Sequence, residues 1–205
     1  MTRPEVWLVR HGETEWSRDG RHTSRTDLDL TAAGEAQARA LAPLLDGVRF
    51  DLVLASPRRR SQATAALLGY PDPVVDPDAA EWDYGDYEGR TSDEIQADVP
   101  DWRIWTHPVP GGETAAEVAA RADRLVARLG AEGGERALVV AHGHVLRVLA
   151  SRWLDQPAGF GVHLLLGTAT LSVLGWDRGS RVVDRWNARP PAPTESGGGA
   201  AAPPP

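Results

Sequence analysis

The chain contains no cysteine. That excludes disulfides, thiol nucleophiles and cysteine-ligated metal sites, and it leaves the redox compartment open. Lysine is absent as well, so all 22 basic side chains are arginines, and any fixed cation in a site is a planar guanidinium. No apolar run approaches the roughly 20 residues that span a bilayer. An apolar strand begins almost at once, with no signal-peptide pattern ahead of it. A cytoplasmic location and no membrane partner are the expectations. Acidic residues outnumber basic ones, 29 to 22, for a net charge of −7, which argues against general nucleic-acid binding.

What is present is a globular composition: 205 residues, 41% hydrophobic and 25% charged, enough for one domain with its own core. Val6 to Val9 is a short apolar run that breaks off into Arg10-His11-Gly12, the pattern of a buried strand ending in a turn. Phe50 to Ala55 is a second run and Ala137 to Ala141 a third, the last followed by His142-Gly143-His144. Helices fall between them. Thr31 caps one that carries Leu41, Leu44 and Leu45 and stops at Gly47. Ser56-Pro57 reads as the start of another, running through Arg58, Arg59 and Arg60 to Gly69. Thr114 to Glu117 is a capping box. It opens a helix with Val118, Ala122, Leu125, Val126 and Leu129 on one side, broken at Gly130 to Glu135. Val145 to Leu154 is predicted as the helix after the third strand.

Ser17 to Asp29 reads as a loop, and Pro71 to Asp78 as a connector around a short strand at Val74-Val75. Residues 81 to 113 are irregular and rich in aromatics, with a short helix at Glu94 to Asp98. Ala169 to Trp176 and Arg181 to Trp186 predict a hairpin. The Pro/Gly/Ala segment 189–205 predicts a disordered tail, leaving one domain over 1–188. The alternation of strands and helices predicts an α/β fold, a three-layer αβα sandwich with a largely parallel central sheet.

Open α/β sheets bind ligands at the carboxyl ends of their strands. There the three strands present Arg10 and His11, the cluster Arg58 to Arg60, and His142. Two histidines, several guanidinium forks and helix N-termini suit a doubly charged tetrahedral anion, and phosphate is the obvious one. A neutral histidine is a nucleophile toward phosphorus. Phosphoryl transfer needs in-line attack and charge stabilisation, and a leaving alkoxide needs a proton. Glu81 and Asp83 are both candidates for that acid, and spacing does not choose between them. His142 and His144 lack the further ligands of a metal site, so neither metal nor cofactor is expected. His144 is expected to pack or hydrogen-bond behind the site, and His22 to be the undistinguished histidine nearest to substrate. Trp82, Trp102 and Trp105 read equally as a satellite core or as a substrate platform, and Glu113 as a loop charge or a rim contact.

Five blocks, in order, resemble the histidine phosphatase superfamily with its phosphoglycerate-mutase-like fold. They are Arg10-His11-Gly12-Glu13-Thr14-x-Trp16; Leu30-Thr31-x-x-Gly34-x-x-Gln37-Ala38; Ser56-x-x-x-Arg60-x-x-x-Thr64-Ala65; Glu81-x-x-x-Gly85-x-x-Glu88-Gly89; and Ala141-His142-Gly143. The resemblance covers nearly all of 5–186. It implies that His11 becomes phosphohistidine. It places Arg10, Arg60 and His142 on the phosphoryl oxygens, and makes Glu81 the acid that later activates water. Ser17, Thr23, Ser24, Trp82 and Gly143 are the implied substrate contacts. Family mutases carry an arginine where Trp82 stands. Ser17 replaces a frequent asparagine near the phosphate, and Ser24 a frequent glycine. The Trp82 replacement, with a chain shorter than typical mutases, favours a phosphatase over a mutase, and the Ser17 replacement is expected to weaken or reshape one phosphate contact. Within the phosphatases, Glu81 to Gly89, Ile104-Trp105, Gly112-Glu113-Thr114 and Ala141 to His144 are similar to actinobacterial acid phosphatases and fungal sedoheptulose-1,7-bisphosphatases.

The expected activity is metal-independent hydrolysis of a small-molecule phosphomonoester such as a sugar phosphate, with an acidic optimum, by a monomer or homodimer. The rivals are a cofactor-dependent phosphoglycerate mutase, a sugar bisphosphatase, and a phospho-ligand binding module without turnover.

Overall fold

A strand covered on both faces needs apolar residues pointing both ways. β1 (Glu5–Arg10) and β4 (Arg136–Ala141) are such strands in the computed structural model, which describes residues 3–190. Val6 and Leu8, with Ala137, Val139 and Ala141, face one core; Val9, with Leu138 and Val140, faces another. The first core is closed by α5 (Ala115–Glu132) and α6 (Gly143–Trp153), the second by α2 (Ala32–Leu41) and α3 (Arg59–Leu67). The result is the expected αβα sandwich.

The sheet order is β3-β2-β4-β1-β5-β6. Here β2 is Leu52–Ala55, β3 Val74–Val75, β5 Leu171–Asp177 and β6 Ser180–Ala188. β3, β2, β4 and β1 run parallel, and the hairpin β5–β6 adds an antiparallel edge beside β1. The stripe read from sequence on α5 is buried as expected: Val118, Ala122, Leu125, Val126 and Leu129. Each valine or leucine among them contributes about 1.5–3 kcal/mol when fully buried.

Several local boundaries differ from the sequence reading. Ser56-Pro57 does not open α3. Arg58 occupies its N-cap, and the Arg59 N–H donates to Asp27 Oδ1 at 2.9 Å. The Ser56 hydroxyl meets His142 instead. α5 runs through Gly130 to Glu132, because an amphipathic stripe outweighs the roughly 1 kcal/mol cost of one helical glycine. Ser17 lies in a short helix, α1 (Glu15–Arg18), where it closes a capping box with Thr14. α4 (Ser92–Asp98) starts at its own capping box on Thr91, and α6 begins at Gly143 rather than Val145. Residues 81–113 pack Trp82, Tyr84, Trp102 and Ile104 into the first core, which decides the tryptophan question for Trp82 and Trp102 in favour of packing. The predicted tail lies outside the described residues from 191 onward. No helix among the described residues is long and apolar enough to cross a membrane.

Candidate active site

Strand register sets the site. Arg10 of β1 is level with Ala141 of β4, and Ala55 of β2 with Val140. The residues that follow, His11, Ser56 and His142, therefore leave the sheet together at its carboxyl edge. His11 N–H still donates to Ala141 O at 3.0 Å, and Ser56 N–H to Val140 O at 3.0 Å.

Beyond His11 the chain turns against the start of α2. A Cβ on Gly12 would lie 2.3 Å from Gly34 O, and one on Gly34 2.1 Å from Glu13 O, so both positions require glycine. Gly12 N–H donates to Thr64 Oγ1 at 3.1 Å, and Glu13 N–H to Gln37 Oε1 at 3.1 Å. The Thr31 hydroxyl donates to Glu13 Oε1 at 2.8 Å. The second sequence block and Thr64 thus form a frame around the strand end.

His11 is only 5% exposed. Its Nδ1 lies 2.7 Å from the Gly12 carbonyl; a carbonyl only accepts, so Nδ1 carries the proton and Nε2 keeps a free lone pair. Burial first, then the charges of Arg60 and Arg10, hold this imidazole well below the usual histidine pKa, which keeps it neutral. His142 is fully buried, its ring centre 5.1 Å from that of His11 and edge-on to it. Arg60 Nε donates to His142 Nδ1 at 3.3 Å, so Nε2 carries the proton and donates to Ser56 Oγ at 2.6 Å. Burial, then Arg60 and His11, keep His142 neutral too.

The two arginines differ in their free donors. Arg10 gives one N–H to Leu166 O at 2.6 Å, while its buried Nε has no partner. Its guanidinium carbon lies 3.3 Å from where a Cβ on Gly143 would stand, so Gly143 makes room for it. Arg60, fully buried, also donates to Thr26 O at 3.0 Å and Thr23 O at 3.1 Å. It thereby holds the 23–26 loop over the strand ends.

Glu81 lies at the N-terminus of α6. Its Oε1 accepts from the backbone N–H of Trp82 at 2.9 Å and of Val145 at 2.8 Å, and its Oε2 from His144 N–H at 3.0 Å. The donors of this helix start, expected to face a phosphoryl group, face Glu81. Asp83 pairs with Arg25 and accepts Gly85 N–H. Of the two carboxylates left open by spacing, Glu81 is the one that lines the cavity with His11.

That cavity is about 190 Å³. Arg10, His11, Glu81 and Gly143 line it, as do Ser17, Thr23, His22, Tyr84, His144 and Arg147; Arg60 and His142 lie beneath, against His11. Two expected contacts are not brought in. Ser24 is held away by Glu88, which accepts both its N–H and its hydroxyl along with the N–H of Thr26. Trp82 is 1% exposed, its indole N–H donating to Glu113 O at 2.8 Å. His144 hydrogen-bonds through Nδ1, 2.6 Å from the Tyr84 hydroxyl, but it lines the cavity and does not lie behind it. His22 stacks between Tyr84 and Trp102, and burial pushes its pKa down to about 4. Sequence reasoning missed Ser56 and Thr64 as supports. Their signal was their spacing of four from Arg60 in one block. Among the described residues no cluster of three or more His, Asp or Glu could hold a metal ion.

The family model for the histidine phosphatase superfamily (branch 1) matches residues 6–189. An acid phosphatase of Mycobacterium tuberculosis is 42% identical over 177 residues, covering 85% of this chain and 87% of that protein. The sedoheptulose 1,7-bisphosphatase of Saccharomyces cerevisiae is 34% identical over 192 residues, covering 78% of this chain and 69% of that protein. A solved structure of an open reading frame product from Mycobacterium tuberculosis superposes with a TM-score of 0.86 at 40% identity, covering 91% of this chain and 98% of that one.

Proposed function

We propose that this chain, which belongs to branch 1 of the histidine phosphatase superfamily, hydrolyses phosphate monoesters of small metabolites through a phosphohistidine at His11, without a metal ion. The phosphoric monoester hydrolase class follows from the family and from relatives such as the acid phosphatase. The observation that carries the finer reading is the state of His11: neutral, its Nδ1 occupied by Gly12, its Nε2 lone pair free in a cavity shared with Arg10 and Glu81.

The lone pair on Nε2 attacks phosphorus and the bond to the ester oxygen breaks. The departing oxygen takes a proton from the Glu81 carboxyl. The unpartnered Nε–H of Arg10 and the unused N–H groups of Arg60 meet the charge on the equatorial oxygens. Water then attacks phosphorus, Glu81 takes its proton, and the N–P bond breaks to release phosphate and restore neutral His11. His142 holds Arg60 through Nδ1 and offers its Nε2–H, shared with Ser56, beside His11. A cavity of about 190 Å³ suits a compact ester, such as a sugar phosphate.

Acid-quench labelling with a ³²P-labelled sugar phosphate tests this reading. Label is expected on wild-type protein and not on His11→Ala. Chasing the labelled protein in water is expected to release inorganic phosphate, and return of the label to a second organic acceptor instead would replace hydrolysis by transfer. Full activity in His11→Ala would overturn the mechanism.

A further inference from the structure

Glu81 stands in a stretch, residues 81–84, that belongs to no helix or strand. Its carboxylate is held by α6, so a second element must hold its backbone. We infer that Arg121 and Glu113 are positioning residues that clamp this backbone and so aim Glu81 at the leaving group. The inference rests on the reading of Glu81 as the proton donor.

Arg121, on α5, spends its entire fork on this task. Nε donates to Glu113 Oε1 at 2.7 Å and Nη2 to Glu113 Oε2 at 2.8 Å, a bidentate pair. Nη1 donates to the carbonyls of Asp78 at 2.7 Å and Ala80 at 3.0 Å, and Nη2 reaches the Glu81 carbonyl at 3.4 Å. All five guanidinium N–H groups are thereby used. Glu113 continues the clamp. Its Oε2 accepts Asp83 N–H at 3.0 Å, its own N–H donates to Asp83 O at 3.0 Å, and its carbonyl accepts the Trp82 indole N–H. Both side chains are largely shielded, 13% and 22% exposed, so water competes weakly for these bonds.

The acid is therefore anchored at two ends, its carboxylate to the start of α6 and its main chain to α5. α5 and α6 pack on one core, which makes the distance between the anchors a property of the core. No ordinary loop contact would do the same: a lysine at 121 offers three donors without a plane and cannot hold a carboxylate and three carbonyls at once. A displacement of about 1 Å at a reacting group costs on the order of 10²-fold in rate.

An alkoxide cannot leave without a proton, whereas p-nitrophenolate, a weak base, departs without one. A misaimed Glu81 must therefore slow alkyl esters more than p-nitrophenyl phosphate. A merely structural defect slows both alike. The experiment measures kcat/KM, which reports transfer to His11, for glycerol 3-phosphate and p-nitrophenyl phosphate in the full-length wild type, Arg121→Lys, Glu113→Gln and Glu81→Gln. Arg121→Lys is expected to lower the alkyl value by about tenfold more than the aryl value, in the same direction as Glu81→Gln. Equal losses on the two esters, or no loss, overturn the inference. If Arg121→Lys fails to fold by circular dichroism, Glu113→Gln carries the same expectation and the same overturning results, since it keeps shape and removes the charged half of the pair. A Glu81→Gln protein that discriminates between the esters, beside an Arg121→Lys protein that does not, removes the clamp alone. A Glu81→Gln protein that treats both alike removes the acid assignment and the clamp with it.

Discussion

The carboxyl ends of β1 and β4 carry the same residue in nearly the same surroundings. His11 and His142 are adjacent, edge-on, buried and held neutral by burial and by Arg60. His11 lines the cavity and His142 lies beneath it, and they differ further in what their ring nitrogens meet. At His11 a carbonyl accepts from Nδ1–H, which leaves Nε2 bare. At His142 a guanidinium donates to Nδ1 and a hydroxyl accepts from Nε2, so no lone pair is free. On the proposed mechanism, residue type and burial do not suffice to make a nucleophile; the partner of the second nitrogen must leave a lone pair free.

The largest test of that contrast is substitution of the two histidines in turn. His11→Ala is expected to lose about 10⁴-fold or more in kcat and to trap no phosphate, since no group replaces the lone pair. His142→Ala is expected to lose about 10²–10³-fold, the scale of one lost charge-stabilising donor, and still to trap phosphate on His11. Label on His142 in the His11→Ala protein would invert the assignment.

A smaller effect is expected at Ser56. Ser56→Ala leaves the buried His142 Nε2–H with only the Ser61 hydroxyl, 3.4 Å away. The cost is expected near the low end of about 1–3 kcal/mol, read by urea denaturation. An unchanged midpoint would mean that Ser61 replaces Ser56 fully.

Acid should erode both ends alike. The folded pKa values of His11, His142 and His144 lie well below 6.5, and that of His22 is about 4. The unfolded chain binds protons near 6.5 and the folded one does not. The stability of the neutral state is therefore complete above about pH 6.5 and falls as pH drops toward 4. Each imidazole contributes a slope of about 1.4 kcal/mol per pH unit in that window. Denaturation at pH 7, 6 and 5 checks this, and a stability independent of pH there would sink it. The mildest probe perturbs nothing: ¹⁵N-edited spectra of the imidazoles should show His11 protonated at Nδ1 and His142 at Nε2. The same tautomer at both would dissolve the contrast.

Much of this was legible in the chain. β1 and β4 were visible because apolar runs bounded by Arg-His and His-Gly are local signals, and so were the caps at Thr31 and Thr114. The block pattern singled out His11, Arg10, Arg60, Glu81 and His142, which the fold gathers around one cavity. Ser24 and Trp82 were misplaced because a motif position gives proximity in sequence, not the direction of a side chain. Ser24 turns to Glu88 and Trp82 to Glu113, partners some 60 and 30 residues away. Ser56-Pro57 matched a helix start, but the hydroxyl found a stronger claim in His142 across the sheet.

By itself the sequence determined the α/β class, the helix caps and which residue types stand at the strand ends, since periodicity, capping and motif spacing are properties of neighbours along the chain. Which histidine keeps a bare nitrogen, which carboxylate reaches the cavity, and that Arg121 and Glu113 close around Glu81 were decided only by the tertiary structure. Those features depend on donors and acceptors from separate segments, brought within hydrogen-bonding distance by the register of β1, β2 and β4 and by the packing of α5 and α6 on a shared core.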